Sequence, residues 1–598
     1  MIQSISEKDW YTSDQLIDEQ ASVAIGRVDL GITNKAEQPA TDSSASTYAF
    51  LYGEFYGTSS NLHPEILATD GINSIITGYN KKGKSFIQDL LGDFAIALYD
   101  KPRKKVFVIN DRYGRRPLYY CVEKGYVGFA SEIKAILEIP DFEASVDQEA
   151  IAEMLAFGYV LGNRTVLSNV KLLPPASILE YDLQSHTVNL STPWRLEDNL
   201  TPSSTPHSVL LEELAESFLG AVHRHLSIDQ TTGISLSGGM DSRTIMAVID
   251  PKKFPITTIT TGIRGGYEGY ITQRIAEVVG CEHTFFEAGD EIQANDSKLE
   301  LTNEAINLTD GMRGSSYNSA TVFTAQNSSS RGMEILMTGH AGELAKLDDA
   351  YSFSLTGRLP MDSDNTAFLD WSYNRMSRAT LRGADTSKLF TGKFAELVNN
   401  SPKERLKQVI EKLDADLPIA QKASYMFLNE LFRKRAMYAM AIQRAYTVQR
   451  LPFLDDDFLD RILRAPLKVR WKNSVHLHIL QKYRPELLKI PLSQTRLRPD
   501  ASRLKKLTRG VSYRLARRLG FYKRDVPEDF WQAKGDYEFL SGILLDDRAL
   551  DRGLVNKQYL GKLLDNHKKG DKRPFHLLHS LAGVELWYRM FIDKSTNQ

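Results

Sequence analysis

The chain has 598 residues with 74 Lys+Arg against 75 Asp+Glu, so a net charge of -1 gives no global electrostatic reason to expect a polyanion or a membrane surface as partner. Hydrophobic residues make up 42% and aromatics 10%, which excludes a largely disordered or fibrous chain and predicts two or more packed domains. Two cysteines, Cys121 and Cys281, suit neither a disulfide framework nor a cysteine-rich zinc site.

The N-terminal MIQSISEKDW lacks a basic and an apolar signal region, and no run of about 18 apolar residues occurs. Cytoplasmic residence without membrane contact is the expectation. Residues 94–99 and 106–110 flank the charged turn 100–105 as a hairpin, and 118–122 with 126–130 repeat the pattern, so the first part reads as strand-rich and antiparallel. A Ser/Thr/Pro/Asn cluster at 198–207 reads as a linker and divides the chain into domains at 1–200 and 208–598. Beyond it, residues 209–226 have helical spacing, 233–237 form a short strand, 242–249 a helix, 256–261 a second strand and 270–280 a helix. Strands alternating with helices predict a parallel doubly wound sheet, and long helices follow from about residue 370.

Between the first of these strands and its helix stands Ser237-Gly-Gly-Met-Asp-Ser242. Two glycines permit close backbone approach, while Ser237, Ser242 and the helix N-terminus turn donors toward an anion. Asp241 would repel bare phosphate, and its presence makes sense where Mg²⁺ bridges carboxylate and phosphate oxygens.

This string resembles the SGGxDS pyrophosphatase loop of the asparagine synthetase superfamily. Similar matches are residues 92–100, 110–120 and 128–135, Gln38-Pro39, residues 172–175, Thr338-Gly-His-Ala-Gly-Glu-Leu344 and Pro452-Phe-Leu-Asp455. The resemblance implies an α+β N-terminal glutaminase-like sandwich of the Ntn type. After it would come an α/β doubly wound ATP pyrophosphatase domain with a helical C-terminal region. It implies ATP and Mg²⁺: a carboxylate attacks the α-phosphate, pyrophosphate leaves, and an amine converts the acyl-adenylate to an amide. Ser237, Gly238, Gly239, Ser242 and Gly339 would then hold the nucleotide, and Asp241 with Glu343 the metal. Thr260 and Thr261, at the carboxyl end of the second strand, face the nucleotide position of such a sheet.

Departures from the family narrow the expectation. Glutamine-hydrolysing members carry Cys after the initiator Met, where this chain has Ile2, and their Asn-Gly-Glu string aligns with Tyr52-Gly53-Glu54, which removes an oxyanion contact. Gly71 and Asn73 fall on the Asp and Glu of a further pocket string, while Arg27 falls on the glutamine-holding Arg. Glutaminase activity is therefore not expected.

His340 stands where glutamine-dependent members carry Glu, and its imidazole suits a general base for the attacking amine. Glu343 aligns with the metal-binding Asp of GEGADE without a gap, or with the following Glu after a one-residue gap; both alignments are open. Arg498, in Arg496-Leu-Arg498 after Ile490-Pro491, is the candidate for the family's phosphate-stabilising Lys.

A basic stretch at 503–524 has no nucleic-acid motif and reads as a solvated helix. The expected function is an ATP-dependent amide ligase acting on a small-molecule or peptide carboxylate. An intramolecular cyclase resembling lasso-peptide cyclases or β-lactam synthetases, and a non-catalytic binding protein, stand as alternatives.

Overall fold

The computed structural model describes all residues except 60, 63–70, 227–230, 263–265, 288–294, 314–317, 347–363, 379, 503–504, 506–507, 509–535 and 594–598. Most of the basic stretch 503–524 therefore lies outside the described residues.

In the first half the two expected hairpins form: Leu90–Asp100 pairs antiparallel with Lys105–Asn110, and Tyr119–Glu123 with Tyr126–Ala130. The former belong to a seven-stranded sheet whose spatial order runs Thr187–Ser191, Ile178–Asp182, Lys105–Asn110, Leu90–Asp100, Thr47–Thr58, Ala40–Thr41, with Asn61–Leu62 paired beside Thr47–Thr58. Leu90–Asp100 is buried along its whole length, because the sheet is covered on both faces. On one face Leu51, Phe94, Ile96 and Leu98 meet Ile72, Ile75 and Ile76 of helix Gly71–Lys82. On the other, Phe50, Ala95, Ala97 and Val108 meet Val23 and Ile25 of the hairpin Thr12–Asp18/Val23–Asp29. The three-stranded sheet Lys171–Leu172, Tyr119–Glu123, Tyr126–Ala130 completes that second layer.

The second half holds a five-stranded, wholly parallel sheet in the spatial order Glu282–Glu287, Ile256–Gly262, Thr232–Ser235, Ile335–Met337, Val448–Arg450. Chain order runs outward on one side from Thr232–Ser235 and then resumes on its other side with Ile335–Met337. The direction of winding switches between these two strands, and the loops leaving their carboxyl ends diverge to leave a crevice. Those loops are 236–240 and 338–341, the two that carry the sequence motifs.

Helices His207–Arg224, Asp241–Ala247 and Tyr267–Val279 flank the sheet; Asp456–Arg464 and Ser474–Tyr483 pack on the first of these, whereas Gly392–Ile410 packs on helix Gln148–Phe157 of the first half. Leu214, Phe218, Ile234, Met337, Phe453 and Leu480 share one apolar core with Tyr113 and Phe157 of the first half. Another core joins helix Gln148–Phe157 to helices Asp536–Leu544 and Phe575–Trp587. Residues 200–206 are irregular, yet Leu200 is fully buried, so packing is continuous across the expected linker. Among the described residues no helix is long and apolar enough to cross a membrane.

Candidate active site

Strand Thr232–Ser235 ends two residues before the glycine pair, and helix Asp241–Ala247 begins at the aspartate. The turn is fastened internally: Ser237 N–H donates to Ser242 Oγ at 2.9 Å, and Ser242 Oγ donates to the Ser237 carbonyl at 3.1 Å. A side chain on Gly238 would collide with Ser493, its Cβ reaching 2.5 Å from Ser493 Cβ. Ser493 N–H donates to the Gly238 carbonyl at 3.2 Å, which brings the segment after Pro491 against the loop.

The second loop presses on the first. An added Cβ at Gly342 would stand 2.3 Å from Asp241 Oδ1, and one at Gly339 3.0 Å from the Ser242 nitrogen. Glycine at these two positions is what lets the backbone of one loop rest on the aspartate of the other. Ala341 takes a left-handed backbone (φ +68°), the conformation a glycine normally supplies. In the gapless alignment Ala341 falls on the second Gly of GEGADE, a residue type suited to this backbone. Glu343 is buried on the short helix Gly342–Ala345.

Asp241 is ionised and doubly held. Lys346 Nζ donates to Oδ2 at 2.7 Å, and His476 Nε2 lies 2.9 Å from Oδ1. Burial opposes the charge, but the His476 hydrogen bond and the Lys346 ammonium prevail and bring the carboxyl down to about 2. Neither partner carries a local motif signal: His476 is 235 residues away in sequence and fully buried. Glu268, from the first turn of helix Tyr267–Val279, accepts the Gly238 N–H at 2.7 Å, so a carboxylate occupies one donor of the loop. Arg243, directly after the motif, is fully buried. Its guanidinium donates to the Leu487 carbonyl at 3.0 Å and the Pro491 carbonyl at 2.8 Å, tying the loop to the segment that precedes Arg498.

Other expected residues stand differently. Thr260 is buried, and its hydroxyl donates to the Leu236 carbonyl at 2.7 Å, so it fastens the strand end and is not turned toward a nucleotide. Arg498 is exposed and forks onto Asp500 at 2.8 and 3.0 Å, touching none of the loop residues. Arg496, two residues earlier, lies over the Tyr267 ring at 4.9 Å, beside Glu268. His340 shares a 2.7 Å hydrogen bond with Thr338 Oγ1 through Nδ1. The residue is exposed at the surface, and desolvation by the surrounding protein with the nearby Arg313 charge lowers its pKa to about 4 against the opposing pull of Asp241.

Among the described residues no three His, Cys, Asp or Glu side chains gather to hold a metal unaided. Two carboxylates on touching loops fit Mg²⁺, which is commonly held by one or two carboxylates together with substrate phosphate oxygens.

In the first half, Ile2 lies on the short helix Ile2–Ile5, its side chain pressed over Gly26. Arg27 is buried and paired with Asp14 at 3.3 Å and Asp29 at 3.0 Å, so its charge is already matched.

The architecture is that of an Ntn-type glutamine amidotransferase domain followed by an asparagine-synthase-type α/β domain. A family model for the glutamine amidotransferase domain matches residues 7–194, and one for asparagine synthase matches residues 213–488. "Asparagine synthetase [glutamine-hydrolyzing] 2" of Bacillus subtilis is 29% identical over 242 residues, 38% of this chain and 32% of its own length. Number 3 of the same organism is 31% identical over 211 residues, 34% of each chain. A probable asparagine synthetase of Acanthamoeba polyphaga mimivirus is 29% identical over 275 residues, 44% of this chain and 48% of its own. The alignments thus span a third to a half of these relatives. Among solved structures, an allosteric regulatory enzyme of purine biosynthesis aligns with 44% of this chain and 66% of its own at 14% identity and a TM-score of 0.21, too low to argue from. With both family models matched in order, the chain belongs to the asparagine synthetase superfamily.

Proposed function

We propose that this protein is an ATP-dependent amide-bond-forming ligase that activates a carboxylate as its adenylate, releases pyrophosphate and passes the acyl group to an amine or ammonia. The observation that carries the reading is the meeting of two loops at the winding switch of a parallel sheet, where Gly339 and Gly342 rest on Asp241 and Ser242. Ser237, Gly238, Gly239 and Ser242 would hold the pyrophosphate oxygens, and Asp241 with Glu343 would hold Mg²⁺. When bound, that ion supplies neutralisation of charge on the leaving group.

The chain's own residues set the rest. Lys346 already neutralises Asp241, and its ammonium would give up Oδ2 or share it when phosphates and metal arrive. Arg498 would leave Asp500 to reach the α-phosphate, which an exposed ion pair resists little. His340, neutral above about pH 4 and open to the crevice, would take the proton of the attacking amine.

The nitrogen would not come from glutamine. In support, Ile2 offers no nucleophile, Tyr52 replaces the oxyanion donor, and the Arg27 charge is already paired with Asp14 and Asp29. The test is carboxylate-dependent exchange of labelled pyrophosphate into ATP with Mg²⁺ present. Release of ADP in place of AMP would refute the assignment.

A further inference from the structure

The second layer of the N-terminal sandwich is broken in two. Val23–Asp29 pairs with Thr12–Asp18 alone, and Tyr126–Ala130 with Tyr119–Glu123 alone, so among the described residues each keeps one edge without a ladder partner. A cavity of about 590 Å³ lies against both strands. Residues 24–28 and 126–130 both line it, so the two strands that lack a second ladder partner border one space. The floor is the large sheet, where Ala95 and Ala97 provide the room that larger side chains would fill. Helix Ile2–Ile5 lies at the same cavity, and none of its residues is buried.

We propose that this cavity receives an extended peptide segment, which adds as a strand to a free edge and places alternate small apolar side chains on the Ala95/Ala97 floor. The two edges decide the ligand class. Unpaired strand N–H and C=O groups are satisfied by another strand, and a purely apolar molecule of equal volume would leave them unmet. Five residues of edge correspond to about 17 Å, the span of a five-residue peptide strand. The charges present do not favour an acidic headgroup, because Arg27, the arginine lining the cavity, is neutralised by Asp14 and Asp29. The proposal rests on the sandwich alone and is independent of the ligase chemistry.

The test uses the full chain and a pool of Lys-flanked peptides with Ala, Val, Leu or Phe at alternate positions and Thr between them. Hydrogen–deuterium exchange should slow at least tenfold within residues 24–28 or 126–130. The same pool N-methylated at alternate amides should bind at least tenfold more weakly, since methylation removes the ladder donors. Ala97→Phe, which fills the floor, should abolish protection while thermal unfolding shows an intact fold. Absence of protection, equal binding of the methylated pool, or competition by lauric acid without edge protection would each overturn the proposal. The methylated pool decides the matter even where Ala97→Phe fails to fold.

Discussion

Asp241→Asn removes one charge from a site where its value can be worked out. The folded carboxyl sits near 2 against an ordinary 3.8, a difference that contributes on the order of 2 kcal/mol to stability. Because the folded value is the lower one, the contribution is complete above pH 4 and declines as pH falls through 2, reaching about half near pH 3. The asparagine variant removes the carboxylate charge from the pairs with Lys346 and His476, so it should unfold more easily by roughly this amount at pH 6. Urea unfolding of both proteins between pH 6 and 3 measures the gap, which should narrow on acidification. Pyrophosphate exchange by the same preparation at pH 7.5 should be lost, because Asn cannot supply the metal-bridging charge. Equal stability at pH 6, a gap that does not change with pH, or retained exchange would each defeat the assignment.

His340→Ala should leave pyrophosphate exchange largely intact and slow amide formation by roughly 10²–10⁴-fold, and equal losses in both assays would make His340 a loop-shaping residue. With its pKa near 4, wild-type amide formation should stay flat from pH 8 to 5 and decline only toward 4, where the protonated ring can no longer accept a proton. Ile2→Cys should release no glutamate from glutamine above background, because the helix holding residue 2, Tyr52 and the Arg27 pairs with Asp14 and Asp29 all remain. Arg498→Ala should slow pyrophosphate exchange by roughly 10²–10³-fold while changing stability by less than about 1 kcal/mol, since its pair with Asp500 is exposed; unchanged exchange would remove it from the site.

The parts legible in the sequence are those whose cause is local. Alternation and turn chemistry mark both hairpins, and Ser237-Gly-Gly-Met-Asp-Ser242 announces itself because strand, glycines and helix start are contiguous. What escaped is set by contacts far apart in the chain. Nothing near His476 indicates that it meets Asp241, and nothing in Arg243 distinguishes a buried guanidinium tied to the Leu487 and Pro491 carbonyls from a solvated one. Thr260 shows the converse: its strand-end place is as expected, but the hydroxyl's direction depends on Leu236, in the loop after the neighbouring strand. The glycines of the second loop were visible as residues, but not as the surface on which Asp241 rests.

Glu54 ties the amidotransferase-type half to the parallel sheet of the second half. It is the last residue of Tyr52-Gly53-Glu54, the string in which the oxyanion Asn is gone but the Glu remains. Its carboxylate pairs with Arg450 Nη2 at 2.9 Å, both side chains being about 5% exposed or less. Arg450 ends the last strand of the parallel sheet and pairs in register with Met337, and its carbonyl accepts the Thr338 N–H at 3.1 Å, at the root of the loop that carries His340. Two more buried pairs cross between the halves, Arg444 with Asp93 and Arg115 with Asp456, both at 3.0 Å. Loss of one member strands its partner's charge in the interior, at about 3–5 kcal/mol. Glu54→Ala should therefore cost stability in that range and also depress pyrophosphate exchange, although Glu54 touches no residue of the Ser237–Ser242 turn. Glu54→Gln, which keeps the shape and one acceptor, should recover part of both losses. If Glu54→Ala changed stability by less than about 1 kcal/mol, the first half would have to be retained for some other reason than to neutralise the charges of the second.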